Sequence, residues 1–255
     1  MKSNNEYSVQ PFTLERKLVE DANRIGQTIP FIHGIFDADI TEVRSKIKEL
    51  RNSKKINLSL SAYLLHCFVS TINETKQVQA CKSWNNKVYT FNEVDVFFPI
   101  ELENKTVKPH IVRSANQLKA LELEQNIISA KKEEKIKIDS KQKTFMTFPS
   151  FLRILFYKYW MKRPLKRKLF FGTAYFSAGG MFSKGQLWGI PIPMQTIGLF
   201  VGTIEKKPVF ENNTTTEKEF ICLTLSVDHS IVDGAQQARF ISRLKQNIAT
   251  LIDQI

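Results

Sequence analysis

His229 and Asp233 stand four residues apart in the string Ser226-Val227-Asp228-His229-Ser230-Ile231-Val232-Asp233-Gly234-Ala235, behind the β-prone run 220–227. Imidazole titrates near neutrality, so a histidine carried to the end of a strand is suited to take a proton from a thiol, hydroxyl or amine as it reacts. Asp233 is placed to orient the loop or hold a cation, and Gly234 permits a tight turn into a last helix. A second segment, Gly172-Thr173-Ala174-Tyr175-Phe176-Ser177-Ala178-Gly179-Gly180, leads a strand into glycines. Taken alone, its Ser177 reads as an ordinary turn serine. The other histidines read as structural: His66 as a packed residue beside Cys67 in an apolar helix, His33 on an extended run and His110 after Pro109 as local hydrogen-bonding groups.

The elements that must position these groups follow from periodicity. Helical spacing predicts helices over 12–24, with Thr13 as cap, over 41–51 behind a Thr41 cap, over 59–73, over 118–137 and over 234–255. Strands are expected over 29–40, 87–91, 94–100, 107–112, 172–176, 198–205 and 220–227, with a turn at 103–105. Helices and strands alternate without a repeat or a low-complexity linker, which suits one mixed α/β sandwich domain over 1–255 better than a barrel or a doubly wound sheet.

The chain of 255 residues carries 37 Lys and Arg against 25 Asp and Glu, a net charge of +12. The excess is local. Residues 140–204 hold ten basic residues and no acidic one, and removing those ten of the 37 leaves 27 against 25. Cys67, Cys81 and Cys222 are odd in number and far apart, without C-x-x-C spacing, so neither a disulfide framework nor a metal site is expected. The polar first ten residues show no apolar leader and no run is long enough to span a bilayer, giving a cytoplasmic expectation. P-loop, G-x-G-x-x-G, H-E-x-x-H and G-x-S-x-G strings are absent, as are zinc-finger and RNP-like strings, so nucleotide hydrolysis, zinc proteolysis and nucleic-acid binding lose support.

Taken together, these motifs resemble the chloramphenicol acetyltransferase family and the catalytic domain of 2-oxo acid dehydrogenase acyltransferases. The likeness rests on H-x-x-x-D-G at His229 to Gly234 and on the G-T-x-x-x-S-x-x-G run that ends past Ser177. It extends to Arg16-Lys17 on the first helix, Ile29-Pro30 followed by Asp37-Ala38-Asp39, and Val107-Lys108-Pro109 with Ile111-Val112-Arg113. It implies a two-layer α/β sandwich assembled as a homotrimer, with the active site between subunits. It further implies acyl transfer from a thioester, with coenzyme A thioester as co-substrate, to a small or carrier-bound acceptor thiol, hydroxyl or amine. His229 would be the general base, Ser177 the donor to the oxyanion, and Asp233, paired with Arg16 and followed by Gly234, the support of the loop. Two departures stand out. Ser230 replaces the arginine that follows the histidine in dehydrogenase-complex members, and no lipoyl-carrying domain or swinging linker precedes the catalytic part, so no lipoyl group is expected on this chain.

The segment 148–171 is longer and more basic than that family core requires. Aromatic and aliphatic residues from Phe151 to Met161 crowd one helix punctuated by Arg153, Lys158, Lys162 and Arg163, and Pro164 ends it. It reads either as a helix for a membrane surface or acyl carrier or as a buried helix with a solvated basic tip. Two alternatives to an enzyme therefore remain: a catalytically inactive trimeric scaffold, and a membrane or carrier binding module acting through this segment.

Overall fold

The computed structural model describes residues 7–101, 107–132, 140–180, 183, 185–211 and 213–255. The turn expected at 103–105 and the far end of the helix expected over 118–137 lie outside them. A mixed sheet runs in the order β1 (Phe31–Asp39), β8 (Thr214–Asp228), β7 (Ile197–Glu211), β6 (Ala174–Ala178), β4 (Val96–Glu101), β5 (Val107–Val112). β4–β6 and β6–β7 are parallel pairs and the others antiparallel. A separate ribbon joins β2 (Cys81–Lys82) to β3 (Val88–Tyr89).

Helices α2 (Thr41–Ser53), α3 (Leu60–Glu74), α4 (Ala120–Lys132) and α8 (Gly234–Thr250) cover one face of the sheet, as the two-layer expectation requires. Alternation along the strands supplies the matching surface: Ile197, Leu199 and Val201 on β7 and Leu223, Leu225 and Val227 on β8 are all buried. Phe68 of α3 anchors the layer, edge-on to Phe240 of α8 at 6.1 Å and tilted against Phe176 of β6 at 6.3 Å. The buried Tyr63 hydroxyl donates to the Ile248 carbonyl at 2.6 Å, so α3 and α8 are joined by a polar tie inside the apolar layer.

Local chemistry sets the element ends. Thr13 caps α1 (Leu14–Gly26) as expected, its hydroxyl accepting from the Arg16 N–H. At α2 the N-cap is Ile40, which makes no side-chain cap bond, and the expected cap Thr41 is the first helical residue; the Asp39 carboxylate before them accepts from the Thr41 N–H (2.9 Å) and hydroxyl (2.6 Å). Gly172, at φ 75°, turns the chain from α7 (Pro164–Phe171) into β6, and a Cβ there would lie 2.6 Å from the Asp95 carbonyl oxygen. Strands β7 and β8 run well past the expected 198–205 and 220–227. Their outer halves form an exposed ribbon rich in Lys, Glu and Thr, so they lack the apolar alternation by which a strand is read from sequence.

The helix expected to end at Pro164 is α6 (Ser150–Met161); a further helix, α7, starts at Pro164, and a short helix α5 (Ser140–Thr147) that periodicity did not announce precedes α6. Pro164 sits in the first turn of α7, where its missing N–H costs nothing. α6 packs on α1 through a buried ion pair. Arg153 Nε donates to Asp21 Oδ2 at 2.5 Å, Asp21 being wholly buried, and Ser150 Oγ donates to Asp21 Oδ1 at 3.1 Å. The arginines of this segment thus do not all form a solvated tip: Arg153 is 5% exposed and Arg167 6%.

Candidate active site

His229 begins the turn that follows β8, and backbone bonds fix that turn from three sides. The Asp228 N–H donates to the Thr196 carbonyl (2.8 Å), the Asp228 carbonyl accepts from Ile231 N (3.0 Å) and Val232 N (2.9 Å), and the His229 N–H donates to the Pro30 carbonyl (2.8 Å). The buried Asp228 carboxylate accepts from the Ser230 N–H at 2.9 Å. The imidazole is exposed and its Nδ1 lies 3.1 Å from the Val232 carbonyl oxygen. A carbonyl only accepts, so Nδ1 carries the proton and the neutral ring keeps its lone pair on Nε2. In the neutral tautomer that this bond selects, the nitrogen without a proton is Nε2.

Beneath the turn lies a group that sequence patterning did not single out. Arg167 of α7 donates through Nε (3.2 Å) and Nη2 (2.8 Å) to the Met194 carbonyl. Burial pulls its guanidinium below the usual arginine range, and the charges of Cys81 and Asp228 oppose that fall. A buried cation facing Asp228 is the nearest counterpart here to the arginine missing after His229. Asp228 is buried at the end of β8, and nothing local in sequence links it to residue 167.

Asp233 stands at the N-cap of α8, and its N–H donates to Gln236 Oε1 at 3.0 Å. Arg16 is exposed on α1 and forms no ion pair among the described residues, so the Arg16–Asp233 pair is not present within one protomer. The folding of the histidine turn rests on Asp228, Thr196 and Pro30 instead. Gly234 has no positive φ, and a Cβ on it would meet nothing within 4 Å, so neither turn geometry nor packing inside the protomer demands a glycine.

Ser177 is half-buried on β6. Tyr175 lies on the same side of the strand; burial raises its phenol above the ordinary tyrosine range, and the Ser177 hydroxyl opposes that rise. Its ring stacks on Phe97 at 5.9 Å. Beyond Ser177 the chain presses against β7, where a Cβ on Gly180 would fall 1.7 Å from the Gly202 carbonyl oxygen, so this glycine is obligatory.

The fold does not bring Ser177 and His229 together in one protomer. Ser177 is in register with Phe200, and Phe200 with Thr224, five residues short of His229. Two strand spacings sideways and five residues along separate them by roughly 19 Å. A cleft of about 420 Å³ lined by His110, Glu122 and Asn126 is remote from both. His110 Nε2 is 2.8 Å from Asn126 Oδ1, and His33 Nδ1 is 2.8 Å from Ser226 Oγ, the local bonding roles expected for these histidines. Half-buried His66 on α3 keeps its ring below the usual histidine range through burial. Among the described residues no three His, Cys, Asp or Glu side chains gather as a metal site needs.

Residues 169–254, which contain Ser177, His229 and Asp233 but not Arg16, match the family model 2-oxoacid dehydrogenases acyltransferase (catalytic domain). Over that third of the chain the sequence is similar to that catalytic domain. It is 26% identical over 251 residues to the dihydrolipoyllysine-residue acetyltransferase component of the pyruvate dehydrogenase complex of Rickettsia felis, covering 95% of the chain and 54% of that protein. The chain thus spans about half the length of the curated relatives it matches. The fold is that of acyltransferase catalytic domains. A structure of the Azotobacter vinelandii dihydrolipoamide acetyltransferase, which concerns the role of a serine, a histidine and an asparagine in its catalytic mechanism, superposes with a TM-score of 0.73 at 17% identity, covering 97% of this chain and 93% of that one. A chloramphenicol acetyltransferase superposes with a TM-score of 0.52 at 12% identity, covering 94% and 99%.

All three thiols are buried, and burial holds each above the ordinary cysteine range, Cys67 up to about 12. Because the thiolate is the reactive species, the native chain should show no thiol reacting with a chromogenic disulfide reagent within minutes at neutral pH. Denaturant should expose all three. A fast-reacting native thiol would contradict this burial.

Proposed function

We propose that the chain is one acyltransferase domain over 1–255 that works as a homotrimer, moving an acyl group from a thioester, with coenzyme A as carrier, to an acceptor nucleophile. His229 Nε2 takes the proton of the acceptor thiol, hydroxyl or amine, and the nucleophile attacks the thioester carbonyl carbon. The tetrahedral oxyanion accepts a hydrogen bond from the Ser177 hydroxyl of the adjacent protomer. The intermediate collapses, the carbon–sulfur bond breaks, and the imidazolium returns its proton to the departing thiolate. Asp233 supports the turn from the N-cap of α8. Arg16 would assist it only across a subunit boundary.

The single observation that carries this reading is the exposed imidazole whose Nδ1 proton is committed to the Val232 carbonyl. A histidine kept for packing has no need of a fixed tautomer with its basic nitrogen turned outward. The separation from Ser177 supports the trimer, since only a second copy can supply the hydroxyl. Dihydrolipoyl groups, the substrates named for the Rickettsia relative, are the natural thiol acceptors to try beside small hydroxyl and amine compounds.

The test is release of free thiol from acetyl-CoA and longer acyl-CoA donors in the presence of an acceptor panel, read with the same chromogenic reagent. Turnover is expected for the purified chain. Ser177→Ala should lower kcat by about 10²-fold or more, as loss of one oxyanion donor does, with KM little changed. A chain that folds and assembles as a trimer yet turns over no thioester, with CoA or lipoyl carriers alike, would be an inactive scaffold and would sink the proposal.

A further inference from the structure

Helix α6 is built inside out. Its arginine Arg153 points inward to Asp21, while Phe151, Leu155 and Tyr159, spaced four apart on one stripe, point outward. Phe151 is 70% exposed and Leu155 64%, and Trp84, which reaches α6 through its N–H on the Lys162 carbonyl (3.0 Å), is 70% exposed. The next helix repeats the pattern, exposing Leu165 and Leu169 while burying Arg167.

Cations frame this apolar stripe. Lys158, Lys162, Arg163 and Lys166 are exposed and form no ion pair among the described residues. The Arg163 guanidinium lies over the Tyr159 ring, 4.3 Å from its centre. No Asp or Glu occurs from 140 to 204 to neutralise them.

We propose that this face docks on the surface of an anionic lipid bilayer. Protruding rings and aliphatic side chains enter the boundary between headgroups and acyl chains, and the surrounding Lys and Arg meet lipid phosphates. Tyr159 and Trp84 are the residue types that settle at that depth, with an apolar body and a polar edge. A two-fold contact of this face with its own copy would oppose cation to cation, and a head-to-tail contact in a trimer is an outcome of the test below. No helix among the described residues is long and apolar enough to cross a membrane, so the contact is peripheral. The inference does not rest on acyl transfer, and its readout is binding.

The experiment is flotation of the full chain with vesicles of phosphatidylcholine alone and of phosphatidylcholine with about a third phosphatidylglycerol. Binding to the anionic vesicles should exceed binding to neutral ones by ~10-fold or more and fall with added salt. Phe151→Ser with Leu155→Ser, and separately Lys158→Glu with Lys162→Glu and Arg163→Glu, should each lower it by ~10-fold or more. The melting temperature should stay unchanged, since all five side chains face solvent. Binding that survives both variants, or no binding to anionic vesicles by a folded wild-type chain, overturns the proposal. So does dissociation of an assembly by the Phe151→Ser, Leu155→Ser variant, which would make this face a contact between copies, or binding of an acidic carrier protein without binding to vesicles.

Discussion

His229→Ala is expected to lower kcat for thioester transfer by about 10²–10⁴-fold, the usual contribution of a positioned general base. Fold and assembly should survive. The side chain is exposed and its described hydrogen bond goes to the Val232 carbonyl, while the turn itself is held by main-chain bonds to Pro30 and Thr196 and by the Asp228 carboxylate. His229→Asn is the sharper comparison, because an amide nitrogen can still donate to that carbonyl but offers no basic nitrogen. Equal losses in the two variants, with circular dichroism and melting curves like wild type, would locate the loss in proton transfer. Near wild-type turnover of purified His229→Ala with any productive donor would remove the assignment.

Arg153→Ala should cost about 3–5 kcal/mol of stability, the range for stripping one partner from a buried ion pair. For a chain of this size that is a fall in melting temperature of roughly 6–20 °C. The loss is larger than that of one bond because Arg153 also donates to the Phe148 (2.5 Å) and Met146 (3.4 Å) carbonyls, so Asp21 and two main-chain oxygens lose a donor at once. Joint replacement by apolar residues of similar volume, Asp21→Leu with Arg153→Met, should recover much of it, since the desolvation of both charges disappears together. Thermal melts of the two single variants and the double variant decide the matter. An unchanged melt for Arg153→Ala would show that α6 is not held to α1 by this pair.

The order of elements and the apolar layer were legible in the sequence, because α8 and β1 turn one stripe toward the core while α3 and the inner halves of β7 and β8 are dense apolar runs buried on nearly every side. The outer ribbon of β7 and β8 was not, since a ladder in solvent carries no apolar period. The turn at His229 could be placed from its strand and following helix. Its supports could not: Pro30 and Thr196 come from two distant stretches and act through carbonyl oxygens. The expected Arg16–Asp233 pair looked secure because both positions fitted a motif, yet a motif says nothing about which protomer an exposed arginine faces. The reversed polarity of α6 was hidden for a related reason. Composition shows that rings and cations share a helix, and only packing shows which of them the protein turns outward.

On the proposed reading, the span between Ser177 and His229 makes each copy half an enzyme twice over. If neighbours supply one another, every protomer lends its imidazole to one cleft and its hydroxyl to a different one, so a lesion in either group spoils a single junction and spares the next. Two inert variants, each broken on the opposite side, could then restore working junctions when they assemble together.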